Sequence, residues 1–84
     1  MSTFYKYFLY RLIDANNPED VRHEVYTAYY YGLVDKYDGL REDVANAATA
    51  LYFGNITKYE LRDLLDGGIV PKFNGEGVMI ESQG

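Results

Sequence analysis

The sequence contains no cysteine, a single histidine and two prolines in 84 residues. Without cysteine, neither a disulfide framework nor thiolate chemistry is available, which favours a reducing compartment although it also permits secretion. The first residues lack a basic segment followed by an uninterrupted apolar run, and no stretch approaches the length of a membrane span. We therefore expect a cytoplasmic protein that has no membrane segment.

Recognisable catalytic motifs are also missing. No Gly-x-Ser-x-Gly, His-Glu-x-x-His or Gly-x-x-x-x-Gly-Lys run occurs, so nucleophilic, metal and nucleotide chemistry lack their usual parts. His23 could join Glu19, one helical turn away, as two metal ligands, but no third histidine and no cysteine completes a site. Asp20 and Glu24 have the spacing of a helix surface rather than of a buried acid/base pair. We expect no catalytic residues, no metal and no cofactor.

Basic residues are few, with eight Lys and Arg against 13 Asp and Glu, for a net charge of −5. The excess is concentrated, because residues 14–43 hold eight acids and three bases while the rest of the chain holds five of each. A surface that neutralises phosphates needs clustered bases. The middle third of the chain therefore argues against direct nucleic-acid binding.

Hydrophobic residues are plentiful at 48% of the chain, and they include ten tyrosines and four phenylalanines. This composition excludes a disordered chain and leaves enough apolar area for a core. A length of 84 residues suffices for one domain and is too short for a second. We expect a single small domain over residues 1–84, with residues 82–84 frayed.

A short phrase occurs three times, beginning at Gly32, Gly54 and Gly68. In its common form, glycine and any one residue are followed by isoleucine or valine, then by Asp, Thr or Pro, then by lysine, an aromatic residue and an acid or amide. Glycine tolerates the left-handed conformation that closes a helix. In the second copy, Thr57 and Glu60 have the spacing of a capping box at the start of the next helix. The repeat therefore predicts joints between helices.

Apolar periodicity predicts the first two helices. The first covers residues 4–13, although its tyrosine-rich composition keeps a strand open as an alternative. The second begins with Asn17 as N-cap and Pro18 at the first helical position, and it runs to about residue 31.

The third helix carries an apolar arc over residues 37–51, and it starts either at a cap formed by Asp35 or near Gly39. The fourth runs from residue 58 to about residue 66. Two apolar runs, at residues 69–70 and 78–80, follow as a hairpin or an extended tail. The predicted fold is mostly α, a compact four-helix domain with a short C-terminal β-hairpin or extended tail.

The second half of the chain contains a helix from Arg41, a turn at Gly54, a helix from Thr57 to Asp66, and the wing-like run Gly68-Ile69-Val70-Pro71-Lys72-Phe73 that leads to Gly77-Val78-Met79-Ile80. These residues, 41–80, resemble the winged helix-turn-helix of phage excisionases and their MerR-type relatives. The resemblance implies a DNA-binding protein whose recognition helix presents Lys58 and Arg62. That helix also carries Glu60, Asp63 and Asp66, so DNA binding is the alternative prediction.

The acidic middle third predicts a protein-binding surface instead. Tyrosine supplies contact area at a small entropic cost, and carboxylates can take the place of phosphates in a basic cleft. A solvated helix face without a partner is the competing interpretation. The candidate binding residues lie on one stripe of the second helix, beside it, and on one stripe of the third: Asp20 and Glu24, then Tyr30 and Tyr31, then Asp35, Asp38 and Glu42.

These observations predict a small acidic, non-enzymatic protein-binding domain. Its carboxylates recur at helical turns of roughly 5–6 Å, which is close to a phosphate repeat. The expected partner is a protein with a basic surface, such as a nucleic-acid-binding enzyme. The domain would block that surface as a phage or mobile-element inhibitor, of the anti-CRISPR or nucleic-acid-mimic type, in the cytoplasm of the host bacterium.

Overall fold

The structure is a computed structural model that describes residues 3–33 and 39–83. Within these ranges four helices precede a pair of antiparallel strands, which confirms the predicted mostly-α fold with a C-terminal hairpin. The first segment is a helix, so its alternative prediction as a strand is wrong. The elements are α1 (Thr3–Asp14), α2 (Pro18–Tyr30), α3 (Leu40–Tyr52), α4 (Lys58–Asp66), β1 (Val70–Phe73) and β2 (Met79–Gln83).

The three glycines of the repeated phrase end their helices in the same way. Gly32, Gly54 and Gly68 have φ angles of 67°, 74° and 83°, in the left-handed region. Each glycine N–H donates to the carbonyl three residues back, and the next N–H donates to the carbonyl five residues back at 2.8–2.9 Å. This pair of bonds is the Schellman motif, which satisfies carbonyls at a helix end. The predicted joints are therefore confirmed.

Two helices begin with the predicted caps. The Asn17 side chain accepts a 3.0 Å hydrogen bond from the Glu19 N–H, and Pro18 occupies the first helical position. In the capping box of α4, the Thr57 hydroxyl accepts from the Glu60 N–H and the Glu60 carboxylate accepts from the Thr57 N–H, both at 3.1 Å. Local side chains thus satisfy N–H groups that a helix leaves open at its start.

The start of α3 differs from the other two. Gly39 is its N-cap and provides no side-chain hydrogen bond. Of the two predicted starts, the one near Gly39 is therefore correct. Asp35 and Tyr37, which belonged to the longer version of this helix, lie outside the described residues.

The described core residues come mainly from the four helices and β1, and β2 pairs with β1. The fully buried Tyr5 hydroxyl donates a 2.7 Å hydrogen bond to the Pro71 carbonyl, so α1 is tied directly to β1. The buried residues of this core include Tyr5, Phe8, Leu9, Leu12, Val21, Val25, Leu40, Val44, Ile56, Leu61, Leu65 and Phe73.

The hairpin is fixed to α3 as well as to α4. Its strands pair in an antiparallel register that is interrupted by an irregularity between Lys72 and Phe73. The turn that joins them lies against the end of α3, where the Asn55 amide donates a 2.9 Å hydrogen bond to the Gly77 carbonyl. Asn46 of α3 likewise donates to the Phe73 carbonyl at 3.1 Å. These bonds hold the hairpin as part of the domain.

Candidate functional site

The predicted acidic surface begins on α2, where the structure separates its two carboxylates. Asp20 is exposed in the first turn of the helix. Glu24 is half-buried and accepts two hydrogen bonds from Arg11 of α1, Nη2 to Oε1 at 2.7 Å and Nε to Oε2 at 3.1 Å. These bonds, helped by the charge of the guanidinium, hold the pKa of Glu24 below its ordinary value against the opposing effect of partial burial. The negative charge of Glu24 is thus balanced by the positive charge of Arg11 within the protein.

The tyrosines of the candidate site stand at the end of α2. Tyr30 is 84% exposed and Tyr31 is 68% exposed. Their ring centroids are 5.1 Å apart with an interplanar angle of 87°, an edge-to-face arrangement. The Schellman motif at Gly32 follows immediately and fixes the backbone at this point. Two paired aromatic rings are therefore presented to solvent at a defined helix end.

The third part of the candidate site is reduced to one described residue. Glu42 is exposed in the first turn of α3. Asp35 and Asp38 lie outside the described residues, and they precede Leu40, where α3 begins. Within α3, the predicted acidic stripe therefore consists of Glu42.

The packing of α2 against α3 decides which candidates are neighbours. Residues at the start of α2, such as Pro18 and Arg22, line one cleft with Tyr52 and Phe53 at the end of α3. The two helices are therefore antiparallel. Glu42 lies at the same end of the helix pair as Tyr30 and Tyr31, whereas Asp20 lies at the other end. The structure thus brings Glu42 and the two tyrosines to one end, and it does not join Asp20 to them.

Basic side chains of the described residues are mostly engaged within the protein. Arg41 is typical, since its guanidinium lies 4.6 Å from the Tyr26 ring centroid and 5.4 Å from that of Tyr29. Lys58 donates to the Ala15 carbonyl at 3.3 Å. Four further bases form ion pairs of 2.7–3.5 Å: Arg11 with Glu24, Arg22 with Glu19, Arg62 with Asp14, and Lys72 with Asp43.

Several carboxylates, by contrast, have no basic partner among residues 3–33 and 39–83. Asp20, Glu42, Asp63 and Glu76 are exposed and belong to none of the ion pairs formed there. Lys6 is the one base in these ranges whose side chain has none of the contacts described above, so the unmatched charge at the described surface is negative on balance. This imbalance follows from tertiary packing, and the net charge of −5 alone does not reveal it.

The elements from α3 to β2 follow the order expected of a winged helix-turn-helix. The bases that DNA recognition would use, however, are engaged in contacts with other parts of the domain, although Lys58 and Arg62 remain exposed. Lys58 and Arg62 of α4 contact the end of α1, and Lys72 of β1 pairs with α3. Phosphate contacts require bases that are free to reach the DNA backbone. This geometry does not favour the DNA-binding alternative.

Sequence reasoning missed a second aromatic pair at the end of α3. Tyr52 and Phe53 are 80% and 65% exposed, with ring centroids 5.2 Å apart at an interplanar angle of 73°. They precede Gly54 as Tyr30 and Tyr31 precede Gly32. The signal was present in the sequence, because the first two copies of the repeated phrase are each preceded by an alanine and three residues that end in two aromatics.

The α1–α2 boundary contains an apolar groove of about 620 Å³ that the sequence did not indicate. Phe4, Tyr7 and Phe8 form one side, and Ala28 and Leu33 form the other. The single histidine, His23, lies at this groove as an exposed residue of α2.

No protein family, curated protein or solved structure matches this chain. In the part of the chain that the structure describes, no helix combines the length and the apolar character that crossing a membrane requires.

Proposed function

We propose that this protein is a small acidic, non-enzymatic binding domain that docks on a basic surface of a partner protein. The proposal rests on one observation, namely that in the described part of the chain most basic side chains are paired within the protein while several acidic ones are not. Bases such as Arg11, Arg62 and Lys72 are paired internally, whereas carboxylates such as Glu42 are exposed without a basic partner among the described residues. A surface of this kind is complementary to a basic one and repels nucleic acid.

The docking surface is centred on the end of α2 and the start of α3. Tyr30 and Tyr31 supply rigid aromatic area, and Glu42 supplies an exposed charge at the same end. Asp35 and Asp38 belong to the chain between them and extend the acidic set. Interfaces are enriched in tyrosine because it offers large contact area with little rotational freedom to lose.

Two of the candidate residues have a smaller part in this proposal. The Glu24 carboxylate is already bonded to Arg11, so a partner would have to displace that guanidinium to use it. Asp20 lies at the opposite end of the α2–α3 pair. We expect both to contribute less to binding than Glu42.

The partner that fits this chemistry is a nucleic-acid-binding protein whose basic cleft the domain occupies in place of phosphates. Blocking such a cleft would inhibit the partner, as inhibitors of the anti-CRISPR or nucleic-acid-mimic type from phages and other mobile elements do. On this proposal the domain acts in the cytoplasm of a host bacterium and needs neither a metal nor a cofactor.

The test is affinity capture from a bacterial lysate with the wild-type chain and two charge variants. Asp38→Lys/Glu42→Lys reverses charge at the docking surface, and Asp63→Lys/Glu76→Lys reverses it elsewhere. Because each substitution adds two positive charges, both variants move the net charge from −5 to about −1. We expect the first to lose a nucleic-acid-binding partner that the second and the wild type retain.

The dependence of binding on salt concentration provides a second measurement in the same experiment. Association should slow markedly between about 0.05 and 0.5 M salt, where the Debye length falls from roughly 14 to 4 Å. Capture that survives Asp38→Lys/Glu42→Lys and ignores salt would place the interface elsewhere. A gel shift with duplex DNA that depends on Lys58 and Arg62 would favour the winged-helix alternative instead.

A further inference from the structure

The face formed by α4 and the hairpin carries a groove of about 390 Å³. Its apolar lining includes Leu64, Ile69 and Met79, and the carboxylates of Glu60 and Asp63 line it as well. Ligand pockets in proteins typically have volumes of about 300–1,000 Å³, with an apolar lining and a few placed polar groups. The groove therefore has the size and composition of a binding site.

Met79, which lines this groove, belongs to a run of exposed apolar residues in the hairpin. Val78, Met79 and Ile80 are consecutive and are 50%, 43% and 61% exposed. In the described part of the chain, β2 has β1 as its single strand partner, so Met79 and Ile80 stand on a sheet edge. Natural proteins usually protect such edges with charge or proline. Exposed apolar side chains at a sheet edge are typical of a surface that binds a partner.

The charge at the groove is negative and is not matched by the adjacent bases. Asp63 is exposed and has no ion pair within residues 3–33 and 39–83. Glu60 accepts the Thr57 N–H and forms no ion pair within the same ranges. Lys58 and Arg62, on the same helix, contact the end of α1 instead. The groove thus combines an apolar lining with two carboxylates, which is complementary to an apolar segment that carries bases.

We propose that this groove binds a cationic amphipathic helix of a partner protein. Apolar side chains of that helix pack on Leu64, Ile69 and Met79, and its lysine or arginine side chains meet Glu60 and Asp63. A helix with anchors three and four residues apart presents both kinds of side chain to a groove at once. The site is separate from the surface at Tyr30, Tyr31 and Glu42, and it does not depend on that surface being functional.

The test is a nuclear magnetic resonance titration of the full ¹⁵N-labelled chain with two synthetic peptides. One is an amphipathic leucine–lysine helix of about two heptads, and the other has glutamate in place of every lysine. We expect the lysine peptide to cause saturable chemical-shift changes at the amides of Leu64, Ile69 and Met79. The glutamate peptide should cause much weaker changes at the same amides.

A matched pair of variants isolates the charge contribution. Glu60→Gln/Asp63→Asn removes both carboxylates from the groove, and glutamine preserves the capping box of α4. It should weaken binding of the lysine peptide by roughly fivefold to tenfold, the effect of losing two exposed charge pairs. The control, Asp20→Asn/Glu76→Gln, removes two charges elsewhere and should change binding by less than about twofold.

Three results would overturn the inference. Equal binding of the two peptides would show that charge does not select the occupant. Shifts confined to Tyr30, Tyr31 and Glu42 would reject this groove while supporting the function proposed above. Concentration-dependent shifts of Val78–Ile80 without any peptide would show that a second copy of the chain covers the face. Conversely, an Asp38→Lys/Glu42→Lys variant that loses its partner but still binds the lysine peptide here would leave this inference intact.

Discussion

The substitution Gly77→Ala tests how the hairpin is held against α3. Gly77 lies in the turn between the strands with φ of 78°, and an added Cβ would lie 2.8 Å from the Ala50 nitrogen and 2.9 Å from its Cα. These are backbone atoms inside a helix, so they cannot rotate away as a side chain could. The Asn55 amide also bonds to the Gly77 carbonyl at 2.9 Å, so the turn cannot move outward without losing that bond.

Two costs add at this position. An alanine in the left-handed conformation costs about 1–2 kcal/mol. Inserting a methyl group into a closely packed contact typically costs a further 1–3 kcal/mol or so. We therefore expect the free energy of unfolding to fall by about 3 kcal/mol. For a domain of this length, whose total stability is on the order of 4–13 kcal/mol, that is a large fraction.

Substitutions at two other glycines measure the conformational cost and the packing cost separately. Gly54 has φ of 74° and no atom near an added Cβ, so Gly54→Ala should cost only the conformational part, about 1–2 kcal/mol. Gly75 has neither a left-handed φ nor a close neighbour. Gly75→Ala should therefore leave the free energy of unfolding within about 1 kcal/mol of the wild-type value. Any change should be a small increase, because alanine makes the unfolded chain less flexible.

Urea unfolding followed by far-ultraviolet circular dichroism measures all three variants on one scale. The expected order of stability is Gly75→Ala, then Gly54→Ala, then Gly77→Ala. If Gly77→Ala and Gly54→Ala agree within about 0.5 kcal/mol, the close approach of the turn to α3 is not a packing constraint and the reasoning is refuted.

Two further predictions concern a cap and an ion pair. Thr57→Ala removes the hydroxyl that accepts the Glu60 N–H, so the free energy of unfolding measured in urea should fall by about 1 kcal/mol. Thr57→Ser keeps a hydroxyl at this position, so its free energy of unfolding should stay close to that of the wild type. An equal loss in both variants would contradict this role of the hydroxyl. For the Arg11–Glu24 pair, the lowered pKa of Glu24 means that its contribution is present above the ordinary value of 4.5 and is lost as pH falls through the lowered folded-state value. The stability difference between wild type and Glu24→Gln should therefore shrink from about pH 6 to about pH 3, and a constant difference in urea melts would contradict the pairing.

Much of the fold could be predicted because its boundaries are encoded locally. Asn17 and Thr57 cap helices through bonds to residues two and three positions away, and Gly54 closes a helix through its own backbone conformation. Such signals depend on short stretches of sequence and can be read without knowing the packing. The start of α3 has no side-chain cap at Gly39, and it is the boundary where two interpretations stayed open.

The candidate site was harder to predict because charges are paired across the fold. The Arg11–Glu24 bond joins residues 13 positions apart on different helices, and Arg62 reaches Asp14 across 48 positions. Helical spacing on α2 places Glu24 on an acidic stripe, but it cannot show that α1 brings a guanidinium to it. For the same reason, the resemblance to a winged helix could not show that the bases of α4 contact α1.

The exposed aromatic pairs are the surface features that the fold explains least. Burial stabilises a side chain in proportion to the area removed from water, so Tyr30 at 84% and Tyr52 at 80% exposure contribute little to the core. Edge-to-face contact within each pair contributes about 0.5–1.5 kcal/mol at most. The helix ends themselves need only glycine and its backbone bonds. Because α2 and α3 are antiparallel, the pairs lie at opposite ends of the helix pair, and Glu42 lies at the end that carries Tyr30 and Tyr31. The proposed docking surface is therefore centred on this end of the helix pair, where rigid aromatic area and unmatched charge occur together.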